Sequence, residues 1–159
     1  MRRNRIALLL RSILLATSLT VATASAAEES SSAFSLAERF FSDSLYNLAL
    51  EQYTKYLEFS GRRPENDAVA HYKSAVCRYR MGNFRTASEE FEAYAKLFPG
   101  ETNVMEALYT AALARKKLDD YKEASDLFYA VWSRYVGSVK GRDALFQAAQ
   151  CAEKDNNVD

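Results

Sequence analysis

An aromatic residue, an alanine three places on and a second aromatic four places further recur at a nearly fixed interval along this chain. Tyr46, Ala49 and Tyr53 form one copy, Phe84, Ala87 and Phe91 the next, and Tyr121, Ala124 and Phe128 a third, offset by 38 and 37 residues. Twelve residues before each copy stands another aromatic, Phe34, Tyr72 or Tyr109, followed three residues later by Ala37, Ala75 or Ala112. A fourth such pair, Phe146 and Ala149, begins 37 residues after the third. Self-similarity at this period marks one supersecondary unit used repeatedly, whose hydrophobic face is buried only when units stack. The intervals of three and four place each set on one face of a helix. The unit is therefore two helices. Helix A carries the first aromatic–alanine pair and helix B the second.

The rest of the chain agrees. Its 159 residues include only two prolines and five glycines, and 48% are hydrophobic, which suits helix and one packed domain. Short turns, Asp43-Ser44, Gly82-Asn83 and Asp119-Asp120, separate A from B. Longer loops over 61–67, 99–103 and 136–141 separate the units and hold both prolines and four of the glycines. Asn103, with Glu106 three residues on, is expected to cap its helix reciprocally. The alanines let helix axes approach closely, to about 8 Å, while the rings fill the space beside them. The units run over about 34–67, 68–104 and 105–141, with a partial unit at 142–159. At its end, Cys151, Asn157 and Val158 align with Cys77, Asn83 and Phe84. A turn is written there without its helix B, which predicts a piece of a longer array or, alternatively, a lone helix A acting as a cap.

Residues 1–26 are of a different kind. Arg2, Arg3 and Arg5 precede a mostly apolar run from Ile6 to Val21, and Ala24 and Ala26 meet the small-x-small cleavage pattern. This reads as a secretory signal peptide cut after Ala26. The run is shorter than the roughly 20 residues a membrane span needs. A short linker is expected over 27–33. The mature chain would hold 17 Lys+Arg against 21 Asp+Glu, a net charge of −4. That balance argues against nucleic acid as a partner, since phosphate contact needs a basic face.

These spacings, with Gly82-Asn83-Phe84 at the turn and Pro99 twelve residues after Ala87, resemble the tetratricopeptide repeat over residues 34 to about 158. Gly61 and Val136 stand in the proline's place in the other units, and the period exceeds the family's usual 34. Repeats of this length are similar to those of bacterial envelope proteins, among them the β-barrel assembly lipoprotein and the Tol–Pal-associated cell-division coordinator. The resemblance implies an all-α solenoid of antiparallel helix pairs, wound as a right-handed superhelix.

Chemistry is sparse. Cys77 and Cys151 occupy equivalent places two units apart, too distant for the Cα separation of under about 7 Å that a disulfide needs. They read as small buried residues. His71 is the one histidine, and a metal site needs several clustered ligands. Asp119-Asp120 and Glu89-Glu90 sit at a turn and on a polar face. No catalytic residue, metal or cofactor is assigned. The resemblance instead implies a binding surface, with A helices lining the concave side. It places there Tyr72, Val76, Tyr79 and Arg80 of unit two, Tyr109, Leu113, Lys116 and Lys117 of unit three, and Phe146 and Gln150 of unit four. Chaperone-binding members of the family resemble a Lys/Asn clamp for a carboxylate. Here those places hold aromatics and Val76 or Leu113, so no such clamp is expected. The expected function is an exported, non-catalytic scaffold or adaptor of the bacterial envelope, periplasmic, gripping a protein or peptide partner with acidic groups. The alternatives are an accessory module of a longer envelope enzyme, and self-association through the open C-terminal end.

Overall fold

The structure is a computed structural model that describes residues 28–59 and 64–156. The expected signal peptide lies outside the described residues, as do Gly61, Asn157 and Val158. Among the described residues there are seven α-helices and no strand. They are α1 (28–42), α2 (Tyr46–Glu58), α3 (Asp67–Arg80), α4 (Phe84–Leu97), α5 (Val104–Lys116), α6 (Tyr121–Arg134) and α7 (Val139–Asn156). A single 3-10 turn, Pro64–Asn66, precedes α3. None of these helices is long and apolar enough to cross a membrane. Each B helix packs on the A helix before it and on the one after it, giving an all-α solenoid.

The core falls into three clusters, and each spans one hairpin plus the next A helix. Ala33, Ala37, Ala49, Tyr53 and Tyr56 of α1 and α2 close on Ala70 and Cys77 of α3. Ala68 and Ala75, on another face of α3, join Ala87, Phe91 and Tyr94 of α4 and Val104, Ala107 and Ala111 of α5. Ala112 of α5 then joins Phe128 and Val131 of α6 with Ala144, Ala148 and Cys151 of α7. Helices α3 and α5 therefore each serve two clusters, so no hairpin has a core of its own. Ala75 and Ala87 are both fully buried in the middle cluster, as the close-packing argument required. The rings stack edge-on beside them, Tyr72 against Phe91 at 5.8 Å and Tyr109 against Phe128 at 5.2 Å. Edge-to-face rings at this spacing align the positive edge of one with the negative face of the other.

Three local expectations are corrected, and one repeat position departs from its equivalents. Residues 28–33, read as linker, belong to α1, and Ser30 and Ala33 are buried. Helix A starts several residues before its aromatic, as α3 does before Tyr72, and Ala33 extends the stripe that α2 covers. Residues 139–141, read as loop, open α7. Gly141 is needed there because a Cβ would lie 2.3 Å from the carbonyl oxygen of Tyr135. Asn103 makes no side-chain cap. Glu106 turns instead to the ammonium of Lys140, one helix pair away. Ala149, aligned with the buried Ala75 and Ala112, is exposed, because among the described residues no B helix lies on that face of α7.

Candidate functional site

A cleft of about 270 Å³ opens at the seam between α3 and α5. Tyr72, Val76, Tyr79 and Arg80 form its α3 wall, Glu106, Thr110 and Leu113 its α5 wall, and Phe91 of α4 contributes from below. Periodicity in α3 sets the first wall, since 72, 76, 79 and 80 share one face. Tyr72 is wedged against Phe91 and Tyr94, and Tyr79 lies edge-on to Phe84 at 5.3 Å. The rings are thus half in the core and half in the cleft. Burial, then the nearby Glu106 carboxylate, pushes the Tyr72 phenol above its ordinary range, so it stays a neutral hydroxyl at physiological pH. The exposed Arg80 guanidinium stands at the C-terminal end of α3 without an ion-pair partner among the described residues, whereas Glu106 is neutralised by Lys140. The available charge in the cleft is therefore the cation.

The cleft exists at this seam because of what one repeat position holds. Residues 73, 110 and 147 are equivalent. At the seam before it, Lys73 of α3 donates to Glu38 of α1 at 2.6 Å and lies over the Phe41 ring. At the seam after it, Gln147 of α7 accepts from Lys116 of α5 at 2.7 Å. Between α3 and α5 the position is Thr110, and the residues opposite, in the places of Glu38 and Lys116, are Val76 and Tyr79. A short hydroxyl facing an aliphatic chain and a ring cannot lace the helices together, and the space stays open.

Of the sequence-predicted residues, Tyr72, Val76, Tyr79, Arg80 and Leu113 meet in the cleft. The others lie further along the stack. Tyr109 packs on Phe128, donates its hydroxyl to Asp143 and carries Lys140 over its ring at 4.9 Å. Burial and that carboxylate raise its phenol. Lys116 is bound to Gln147, Lys117 is exposed just past α5, Gln150 is half-buried, and Phe146 is 60% exposed on α7. Sequence reasoning missed Glu106, Thr110 and Phe91. It took equivalent positions on each A helix, but a groove is walled by opposite flanks of its two helices. The intervals of 106, 110 and 113 carried that second wall.

Other candidate sites are thinner. His71 packs on Phe98 with ring centres 5.5 Å apart. Among the described residues no group of three metal-ligating side chains occurs. Cys77 and Cys151 are buried free thiols in different clusters. A larger cleft of about 510 Å³ lies where Glu28, Ser32 and Leu36 of α1 face Gln52 and Lys55 of α2, but no ring lines it.

The helix-pair repeat, its shared clusters and the groove between A helices define a tetratricopeptide-like solenoid. Residues 69–100 and 106–138, the α3–α4 and α5–α6 hairpins, each match the tetratricopeptide repeat family model. A search of curated protein sequences finds no match. Among solved structures the chain is similar to the first such domain of Spaghetti (RPAP3) bound to the HSP90 peptide SRMEEVD, with 16% identity and a TM-score of 0.61, covering 80% of this chain and 95% of that one. It is also similar to the Sgt2 domain from Aspergillus fumigatus, with 22% identity, a TM-score of 0.60 and coverage of 81% and 82%. The TPR2B domain of yeast Sti1 in its complex with pHsp70 gives 16%, 0.58, 78% and 98%. At these identities the likeness is one of fold.

Proposed function

We propose that this chain is a non-catalytic tetratricopeptide scaffold that holds a segment of a protein partner in the cleft between α3 and α5. The observation that carries the reading is the cleft itself, where a half-exposed aromatic floor meets one unpaired cation, Arg80. Its volume of about 270 Å³ lies below the range of about 300–1,000 Å³ usual for small-molecule pockets, and suits one or two anchoring side chains of a polypeptide. An apolar anchor seated on Tyr72 and Tyr79 with an acidic group toward Arg80 satisfies both features. One of the similar structures holds an HSP90 peptide and another is a complex with pHsp70, which supports peptide capture by this fold. The absence of a Lys/Asn clamp at Val76 and Leu113 points to an internal segment rather than a free C-terminal carboxylate. The composition of residues 1–26 supports export, and we place the protein in the bacterial envelope, in the periplasm.

A photo-crosslinking residue at Arg80 tests this. It is expected to trap a partner in envelope extract, and Tyr79→Ala is expected to abolish trapping while circular dichroism keeps its helical signal. Equal trapping in the variant, or loss of helix, would overturn the reading.

One observation favours a second activity. Phe146 and Val139, 60% and 77% exposed, lie on α7 with no helix over them among the described residues, whereas Tyr72 and Tyr109 each have a B-helix ring against them. We infer that a second copy packs on this end. Light scattering is expected to show concentration-dependent dimers that Phe146→Asp dissolves; a monomer at every concentration would refute it.

A further inference from the structure

A second groove, of about 400 Å³, lies between the B helices α2 and α4 with α3 as its floor. It uses a different flank of α3 from the cleft above, residues 74 and 78 rather than 72, 76 and 79, and it is independent of that reading. Leu57, Ala93 and Leu97 give it apolar walls, and Ser74, Arg78 and Glu90 a polar base. Ser74 is only 7% exposed, and its hydroxyl has no hydrogen-bond partner. Glu90 takes the Arg78 Nε–H on Oε1 at 2.6 Å, but its Oε2 is shielded from solvent and accepts nothing. Buried polar atoms are satisfied in the great majority of cases, so two orphans in one groove call for a reason.

The next repeat supplies the contrast. At the equivalent positions it has Ala111 and Leu127, so neither orphan can arise there. The cognate of Arg78, Arg115, spends its donors on Ser88 at 3.0 Å and on Glu92. The stack therefore folds without a serine and a glutamate at these places. Their presence in one groove only is a departure from the repeat, in a pocket whose size suits a ligand group.

We propose that this groove is a second recognition site, which takes the carboxamide of an asparagine or glutamine side chain from an apolar stretch of a partner polypeptide. With both side chains turned toward the groove, the carboxamide N–H would donate to Glu90 Oε2, and its carbonyl would accept from the Ser74 hydroxyl. The ligand must be neutral. Arg78 and Glu90 already cancel, and His71, which also lines the groove, packs its ring on Phe98, so an ammonium would face the guanidinium and a carboxylate would face Glu90, each without compensation. Glu58, at the rim, is exposed and screened by solvent. Of neutral polar groups, a primary amide carries a donor and an acceptor side by side. Leu57 and Leu97, the latter 61% exposed, would cover the apolar flanks.

Three blocked tripeptides, acetyl-Leu-Gln-Leu-methylamide and its Glu and Lys counterparts, test this against ¹⁵N-labelled full-length protein by NMR titration. The Gln peptide is expected to give saturable shifts at Ser74, Arg78 and Glu90, with the other two producing none. Ser74→Ala combined with Glu90→Leu copies the next repeat, so it is expected to fold and to lose the shifts. Equal response to all three peptides, a stronger response to Lys, no saturable response, or shifts that persist in the folded double variant would each overturn the proposal.

Discussion

Three turn residues occupy the same repeat position and the same left-handed conformation, though their side chains differ. Ser44 has φ of 59°, Gly82 of 82° and Asp119 of 60°. Only glycine adopts this region without penalty, and other residues pay about 1–2 kcal/mol. Ser44→Gly is expected to raise stability by up to about 1 kcal/mol in chemical unfolding, offset in part by the freer unfolded chain. Gly82→Ala should lower it by about 1 kcal/mol. Gly141 differs in kind, because its constraint is space. Gly141→Ala must displace the Tyr135 backbone, with a loss of about 1–3 kcal/mol expected by thermal unfolding. Burial raises the Glu90 carboxyl above its ordinary range, against the lowering influence of Arg78. The folded state therefore holds that proton more tightly than the unfolded chain does. The stability this gives is complete below the unfolded value and is lost as pH rises through the folded one. Relative to Glu90→Gln, which stays neutral, the parent should lose stability as pH rises above the ordinary carboxyl value of about 4 in pH-dependent unfolding.

At the scale of elements, the helices were legible because every A and B helix repeats one spacing of rings and alanines. Their ends were less so. The reciprocal cap expected at Asn103 failed because Glu106 has a better partner in Lys140, which sequence separation hides. The linker reading of 28–33 failed because a serine-rich, locally polar segment is held helical by tertiary burial of Ser30 and Ala33. Half of the candidate site was visible as one face of α3. The other wall depended on which flank of α5 turns toward α3, which only packing decides. Thr110, on the α5 side of the seam, makes this testable. Thr110→Gln restores a long polar side chain where Lys73 and Gln147 bridge their seams. It is expected to narrow the cleft and weaken partner crosslinking at Arg80, with thermal stability kept or raised. Unaltered crosslinking would mean that the seam's openness is irrelevant to capture.

For the whole molecule, three clusters sharing α3 and α5 imply that stability is a nearest-neighbour property. Phe91 is fully buried in the middle cluster, and Phe91→Ala is expected to cost about 3–5 kcal/mol and to unfold both ends together. Hydrogen exchange should be slowest in α4, covered on both sides, and faster in α1 and α7. Two of the three joints between successive A helices are pinned by polar side chains, and the one at Thr110 is not. Bending of such a rod concentrates where it is least braced. A guest seated there would act as a shim, and its thickness would set the curvature of the entire stack. Small-angle scattering would then register binding as a change in overall dimensions, even though the contact itself involves only a few side chains.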